Sequence, residues 1–161
     1  MNPSVYLETT IPSYLTAWRS PDLVMAARQQ ITREWWDDRR QAFDLFVSEV
    51  VLLEASAGDP DAAARRLKIL DGIPLLEPKE DSDEIVQALV DELALPDRAA
   101  ADAAHIALCV VNGIDFLLTW NFTHIANAAY RPAIDSVCRS FGYEIPVICS
   151  PEELMEPKDE T

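Results

Sequence analysis

The sequence predicts a single α/β domain with a central, mainly parallel sheet of four to five strands covered by helices on both faces. Two observations carry that expectation. Short, almost wholly apolar runs alternate with longer segments of helical character, the pattern of strands returned in the same direction by helical crossovers and buried on both faces. The chain also has 161 residues, 49% of them apolar, with four Trp and five Phe. That is enough for one substantial core and inconsistent with disorder. No repeat, low-complexity tract or long linker divides it. The domain is expected over residues 1–150, with an acidic tail at 151–161.

The elements follow in order. A first strand is expected at 5–7, running into Glu8, Thr9 and Thr10, of which the threonines suit a capping role. Pro12 and Pro21 punctuate a helical hairpin reaching to about residue 40, with Trp35 and Trp36 on or near its inner face. A second strand fits 43–47. Ser48 then caps a helix that Gly58 stops, and helix resumes near Pro60 and runs to Leu70. Residues 73–76 read as a third strand, and the acidic stretch behind them as an exposed helix over 82–93. Asp97 is placed to cap a strongly helical segment over 98–112, with Gly113 as its terminator. Residues 115–119 read as a fourth strand, 131–141 as a helix, and 146–148 as a fifth strand at an edge, where proline is tolerated.

Composition excludes several classes. The longest apolar runs, such as Ile106 to Val111, are far too short to cross a bilayer, and the N-terminus lacks the pattern of a secretory signal. Cys109, Cys138 and Cys149 are odd in number and without metal-type spacing, so they read as small buried hydrophobes of a cytoplasmic protein. The net charge of −15 opposes nucleic acid on its face, but residues 77–97 carry −7 and 151–161 carry −4, leaving −4 for the rest. Arg19, Arg28, Arg33, Arg39 and Arg40 fall in one early region, and Arg65, Arg66 and Lys68 in another. These charges either solvate helix faces or form a locally basic rim.

Parallel sheets bind ligands at the carboxyl ends of their strands, where strand order reverses. Glu8 lies just beyond the first strand and Asn121 just beyond the fourth, so both reach the same rim. A carboxylate there serves as a loop residue or as a ligand. The segment 98–112 is apolar almost all round, yet Asp102, His105, Cys109 and Asn112 share one stripe at spacings of three, four and three. That stripe faces either solvent or a polar cleft. Asp102, in the first turn, is placed to face the strand ends, with His105 close enough to hydrogen-bond to it or simply to pack. Glu54 follows four apolar residues on a helix that must pack on the sheet, and a carboxylate so embedded needs a partner, either a cation or an arginine. Taken together, Glu8, Glu54, Asp102 and the neutral Asn121 offer hard oxygen ligands of the kind that suit Mg²⁺ or Mn²⁺ rather than zinc. Such an ion orients a phosphodiester, activates water and neutralises the leaving oxygen.

At these residues the sequence resembles the PIN-domain family, especially the VapC-like toxin ribonucleases of type II toxin–antitoxin systems. The matching pieces are VYLETT at 5–10, SEVVLLE at 48–54, ADAAHIA at 101–107 and LLTWNF at 117–122. Each alone is weak; their order and spacing span most of the chain. The resemblance implies a metal-dependent endoribonuclease acting on RNA, with Mg²⁺ or Mn²⁺ as cofactor, a homodimeric state and a cognate antitoxin protein. Its acidic quartet maps onto Glu8, Glu54, Asp102 and Asn121, with Thr10, Thr119 and His105 as polar support. Two positions depart from the usual pattern, since Glu8 and Asn121 both stand where Asp is common. Three carboxylates balance one divalent ion, and a second ion is expected to bind weakly. His124 and Asn127 either contact phosphate or close the turn that follows, and closing the turn is the expectation.

Two other functions compete. An aspartyl-phosphate phosphatase also uses a carboxylate after the first strand, but needs an Asp nucleophile and a second Asp two residues on, which Glu8, Thr9 and Thr10 do not provide. The alternative is a non-catalytic PIN-like module that binds RNA or protein through a degenerate metal site.

Overall fold

The computed structural model describes residues 1–157; the last four residues of the expected acidic tail lie outside them. Among the described residues the chain forms β1 (Ser4–Leu7), α1 (Thr10–Thr16), α2 (Leu23–Asp38), β2 (Asp44–Phe46), α3 (Glu49–Ala55), α4 (Pro60–Leu70), α5 (Ser82–Glu92), α6 (Ala100–Val111), β3 (Phe116–Leu118), α7 (Arg131–Ser140) and β4 (Val147–Cys149). Every strand pair is parallel and the order is β2-β1-β3-β4. The expected α/β architecture is thus the observed one, with β1 central and beside the strand that was expected as the fourth.

Successive side chains on a strand point to opposite faces. Val5, Tyr6 and Leu7 are all completely buried, as are Leu117 and Leu118, so both faces of the sheet are covered. Helix α5 packs on α6 and α7, while α1 packs on α2 and α4. One continuous core joins β1 and β3 to Trp35, Ile85, Leu89, Ile106 and Ile134.

Local chemistry explains the boundaries. Asp22 and Asp59 accept from the backbone N–H groups of Met25 and Ala62, and so open α2 and α4. Ser48 caps α3 through Val51. Gly113 ends α6 with a φ of +64°, in the left-handed region that favours glycine.

Three expectations need correction. The third strand at 73–76 is only an isolated parallel bridge between Val47 and Leu75; Pro74 has no N–H to extend a ladder, and its carbonyl accepts from Val47 instead. Asp97 does not cap α6, because a short 3-10 turn over Asp97–Ala99 intervenes. Thr9 stands at the cap position of α1 without making a side-chain cap bond, since both threonines are engaged elsewhere. Beyond β4, Leu154 and Met155 pack against the core and Arg39 pairs with Glu156 at 3.2 Å.

Candidate active site

Strand order reverses between β1 and β3, and the chain beyond both strands carries polar groups into that crevice. Extending the register Leu7–Leu118 by one step sets Glu8 opposite Thr119. The Thr119 hydroxyl accordingly donates to Glu8 at 2.6 Å, and Thr10 donates to the same oxygen at 2.5 Å. Thr10 in turn accepts from the backbone N–H of Trp120 at 2.9 Å. The two threonines named as polar support therefore hold one carboxylate between adjacent strands.

Glu54 arrives from the last turn of α3. It accepts from the Thr9 hydroxyl at 2.7 Å and lies 2.6 Å from His105 Nε2. With Glu54 ionised, His105 carries its proton on Nε2, and its Nδ1 meets the Tyr6 hydroxyl at 2.6 Å. Tyr6 continues the chain of contacts to Ser48 at 2.8 Å. Ligand atoms of Glu8, Glu54 and His105 all lie within 4.8 Å of one another. Glu8 is 4% exposed and His105 fully buried, whereas the Glu54 side chain is 37% exposed and opens the cluster to solvent.

Burial pushes the Glu8 carboxyl above its ordinary value, and the electrostatic influence of His105 and the hydroxyls of Thr10 and Thr119 oppose it. At Glu54 burial acts in the same sense, but hydrogen bonds from His105 and Thr9, with the electrostatic influence of His105, outweigh it and hold the carboxyl below its ordinary value. Burial also pushes the Tyr6 phenol well up, so that it stays protonated. One carboxylate of the pair is thus reluctant to ionise without a cation, and the other is held ready.

Asp102 and Asn121 lie outside this trio. Asp102 Oδ2 is 2.9 Å from His124 Nδ1, and the Asn121 carbonyl oxygen accepts from the His124 backbone N–H at 3.0 Å. Asp102, His124 and Asn121 therefore form a second group, tied together through His124. His105 does not reach Asp102 as the sequence allowed; it is turned to Glu54 by Tyr6. Asn127 closes the turn as expected, donating to Thr123 and accepting from Ala129.

Sequence reasoning missed Tyr6, Thr9 and the pairing role of His124. Tyr6 was hidden in an apolar strand, although it is two residues before Glu8 and so points to the same face. That parity was the signal available.

The donor set fits a divalent cation. Two carboxylates converge within one ion's reach, beside an imidazole that could join them by giving up its Nε2 proton, and no arginine or lysine neutralises them among the described residues. Neither a family model nor a curated protein matches the sequence. Among solved structures, the chain is similar to VapC20 of Mycobacterium tuberculosis, a sarcin-ricin loop cleaving toxin. The TM-score is 0.55 at 19% identity, and the match covers 78% of this chain and 95% of the toxin. The chain has the VapC-like, PIN-type fold.

Proposed function

We propose that this chain is a divalent-metal-dependent endoribonuclease, the toxin half of a toxin–antitoxin pair. The observation that carries the reading is the convergence of Glu8, Glu54 and His105 at the switch point of a PIN-type sheet. Glu8 and Glu54 are the primary ligands, and Asp102 supplies the third carboxylate. Asn121, held beside Asp102 through His124, is the neutral fourth member. Mg²⁺ or Mn²⁺ bound there supplies a Lewis acid that lowers the pKa of water and neutralises charge on a departing phosphate oxygen. Thr10 and Thr119 fix Glu8, while Thr9 and His105 fix Glu54, so the carboxylates need little reorganisation. His105, backed by Tyr6, is a positioning residue for Glu54.

RNA is the proposed substrate, and a cognate antitoxin and a second copy of this chain are the proposed partners. The domain is proposed to span 1–150, with 151–161 as its acidic tail, in a cytoplasmic protein. No helix among the described residues is long and apolar enough to cross a membrane.

A second reading, a binding module with a degenerate site, is favoured by one observation. Asp102 and Asn121 already satisfy His124 and so serve the turn. Cleavage of single-stranded RNA by wild type, Asp102→Ala and Asn121→Asp, each with Mn²⁺ and with chelator, separates the two. The nuclease reading expects wild type to cut only with the ion, Asp102→Ala to lose at least a hundredfold in rate, and Asn121→Asp to gain. Activity surviving both chelator and Asp102→Ala overturns it. An inactive wild type beside an active Asn121→Asp establishes the second reading.

A further inference from the structure

Trp120 and Phe122 flank Asn121 beyond β3, and the Arg28 guanidinium on α2 lies over both rings, 5.4 Å from one centroid and 5.0 Å from the other. Trp120 is fixed in place. Its indole N–H donates to the buried Thr32 hydroxyl at 2.8 Å, and its ring stacks on Tyr14 at 6.0 Å. Phe122 stands edge-on to Trp120 and is 40% exposed, while Leu23 and Val24 nearby are 84% and 60% exposed. These groups line an open pocket of about 440 Å³, with Glu152 as its acidic member.

Arg28 differs from four of the arginines that either solvate helix faces or form a basic rim, while Arg65 resembles it in lying over the Trp18 ring at 5.2 Å. Arg33 donates to the Ala17 carbonyl, Arg39 to Leu154 and Glu156, Arg40 to Trp36, and Arg66 to Ala55 and Ala57. Among the described residues Arg28 makes no ion pair and donates no side-chain hydrogen bond. It is a cation positioned by aromatic rings with its donors free.

Trp120 is only 5% exposed and backs the pocket, so the part-exposed Phe122 ring is the aromatic surface that a ligand can reach. Such a ring beside an oriented guanidinium suits an unpaired base and its phosphate, because every base offers a π-face and Arg pairs with phosphate oxygens. An apolar protein segment laid on the same residues would strip water from Arg28 without supplying a counter-charge. A nucleotide brings its own. The pocket is also one residue from the cluster: Trp120 N–H reaches Thr10, which holds Glu8.

We propose that this pocket seats an unpaired base of single-stranded RNA, with Arg28 engaging the adjoining phosphate. The assignment rests on the nuclease reading above and adds the residues outside the metal cluster that seat a base and its phosphate.

Binding is measured apart from cleavage, by fluorescence anisotropy of a labelled short oligoadenylate in chelator. The comparison ligands are its duplex with oligouridylate and an abasic strand of equal length. Wild type is expected to bind the single strand at least about tenfold tighter than either. Phe122→Ala should lose roughly tenfold or more in affinity, and Phe122→Trp should retain it. Arg28→Ala should weaken binding and reduce the slope of log affinity against log salt by about one, which Phe122→Ala leaves unchanged. Phe122 is already part-exposed, so its variants are expected to stay folded, and circular dichroism checks that they do. Wild-type affinity in both alanine variants, equal binding of the abasic strand, or no RNA binding by wild type overturns the proposal. Phe122-dependent binding by a protein that cuts no RNA with any ion leaves the pocket standing and the nuclease reading fallen. Ion-dependent cleavage unchanged in kcat and KM by both alanine variants does the reverse.

Discussion

At Glu8 the burial that shapes the site also creates a pH dependence. A carboxyl whose folded pKa is raised keeps its proton where the unfolded chain has lost it, so its contribution is full below the ordinary value near 4.5. That contribution is lost as pH rises through the folded value. Glu54 runs the other way: held low, it stabilises above its ordinary value, and that gain disappears as pH falls through the folded value. Glu8→Gln removes the first effect while keeping an oxygen for Thr10 and Thr119. Without metal, the variant should be more stable than wild type near about pH 8, and the difference should vanish below about pH 4. Urea denaturation in chelator at both values checks this, and a constant difference across the range would contradict it. Glu8, Glu54, Asp102 and Asn121 stood out in the sequence as candidates because each ends a strand or interrupts an apolar face. Their grouping was not. A sequence lists carboxylates but not which hydroxyls and imidazoles bind them, and here Tyr6 and His124 decide that Glu54 meets His105 and Asp102 does not.

The short helix α3, Glu49–Ala55, is too brief to persist on its own propensity, so its position depends on its cap and its packing. Ser48 serves two partners at once, capping Val51 N–H and meeting the Tyr6 hydroxyl. Ser48→Ala should cost about 1–2 kcal/mol, toward the upper end of a cap deletion, because it also leaves Tyr6 short of a partner. Tyr6→Phe leaves the buried His105 Nδ1 without a partner and should cost about 1–3 kcal/mol. Since the residues share one contact, the double variant should cost less than the sum by about 0.5 kcal/mol or more. Strict additivity in denaturant titrations would mean that no connected chain runs from Ser48 to Glu54. At this scale most of the fold was readable: the apolar runs at 5–7 and 115–119 became adjacent parallel strands, and the caps Ser48 and Gly113 act where expected. The failure at 73–76 has a plain cause, because hydropathy registers Ile73, Leu75 and Leu76 but not the donor that Pro74 lacks.

Across the molecule, the charge of −15 and the buried acidic cluster both oppose folding when no cation is present, and this gives the proposed site a signature independent of catalysis. An ion that binds only the folded chain adds stability by mass action, about 2.7 kcal/mol at a hundredfold excess over Kd. For a chain of this size that corresponds to roughly 5–10 °C in Tm. Mn²⁺ should produce a larger shift than Mg²⁺ where the ion displaces the Nε2 proton of His105 and takes that nitrogen as a ligand. General screening of negative charge would raise Tm as well, so Ca²⁺ and matched ionic strength in NaCl serve as controls. Glu54→Gln removes a ligand from the half-exposed side of the cluster and should abolish the Mn²⁺-specific part while leaving the screening part. Asp102→Asn distinguishes the two groups of the site. A loss as large as that of Glu54→Gln makes Asp102 a ligand despite its hydrogen bond to His124, and a wild-type shift confines the ion to Glu8, Glu54 and His105. Equal Mn²⁺ stabilisation in wild type and Glu54→Gln would remove the metal site altogether, because among the described residues the remaining acidic charge offers no comparable convergence of ligands.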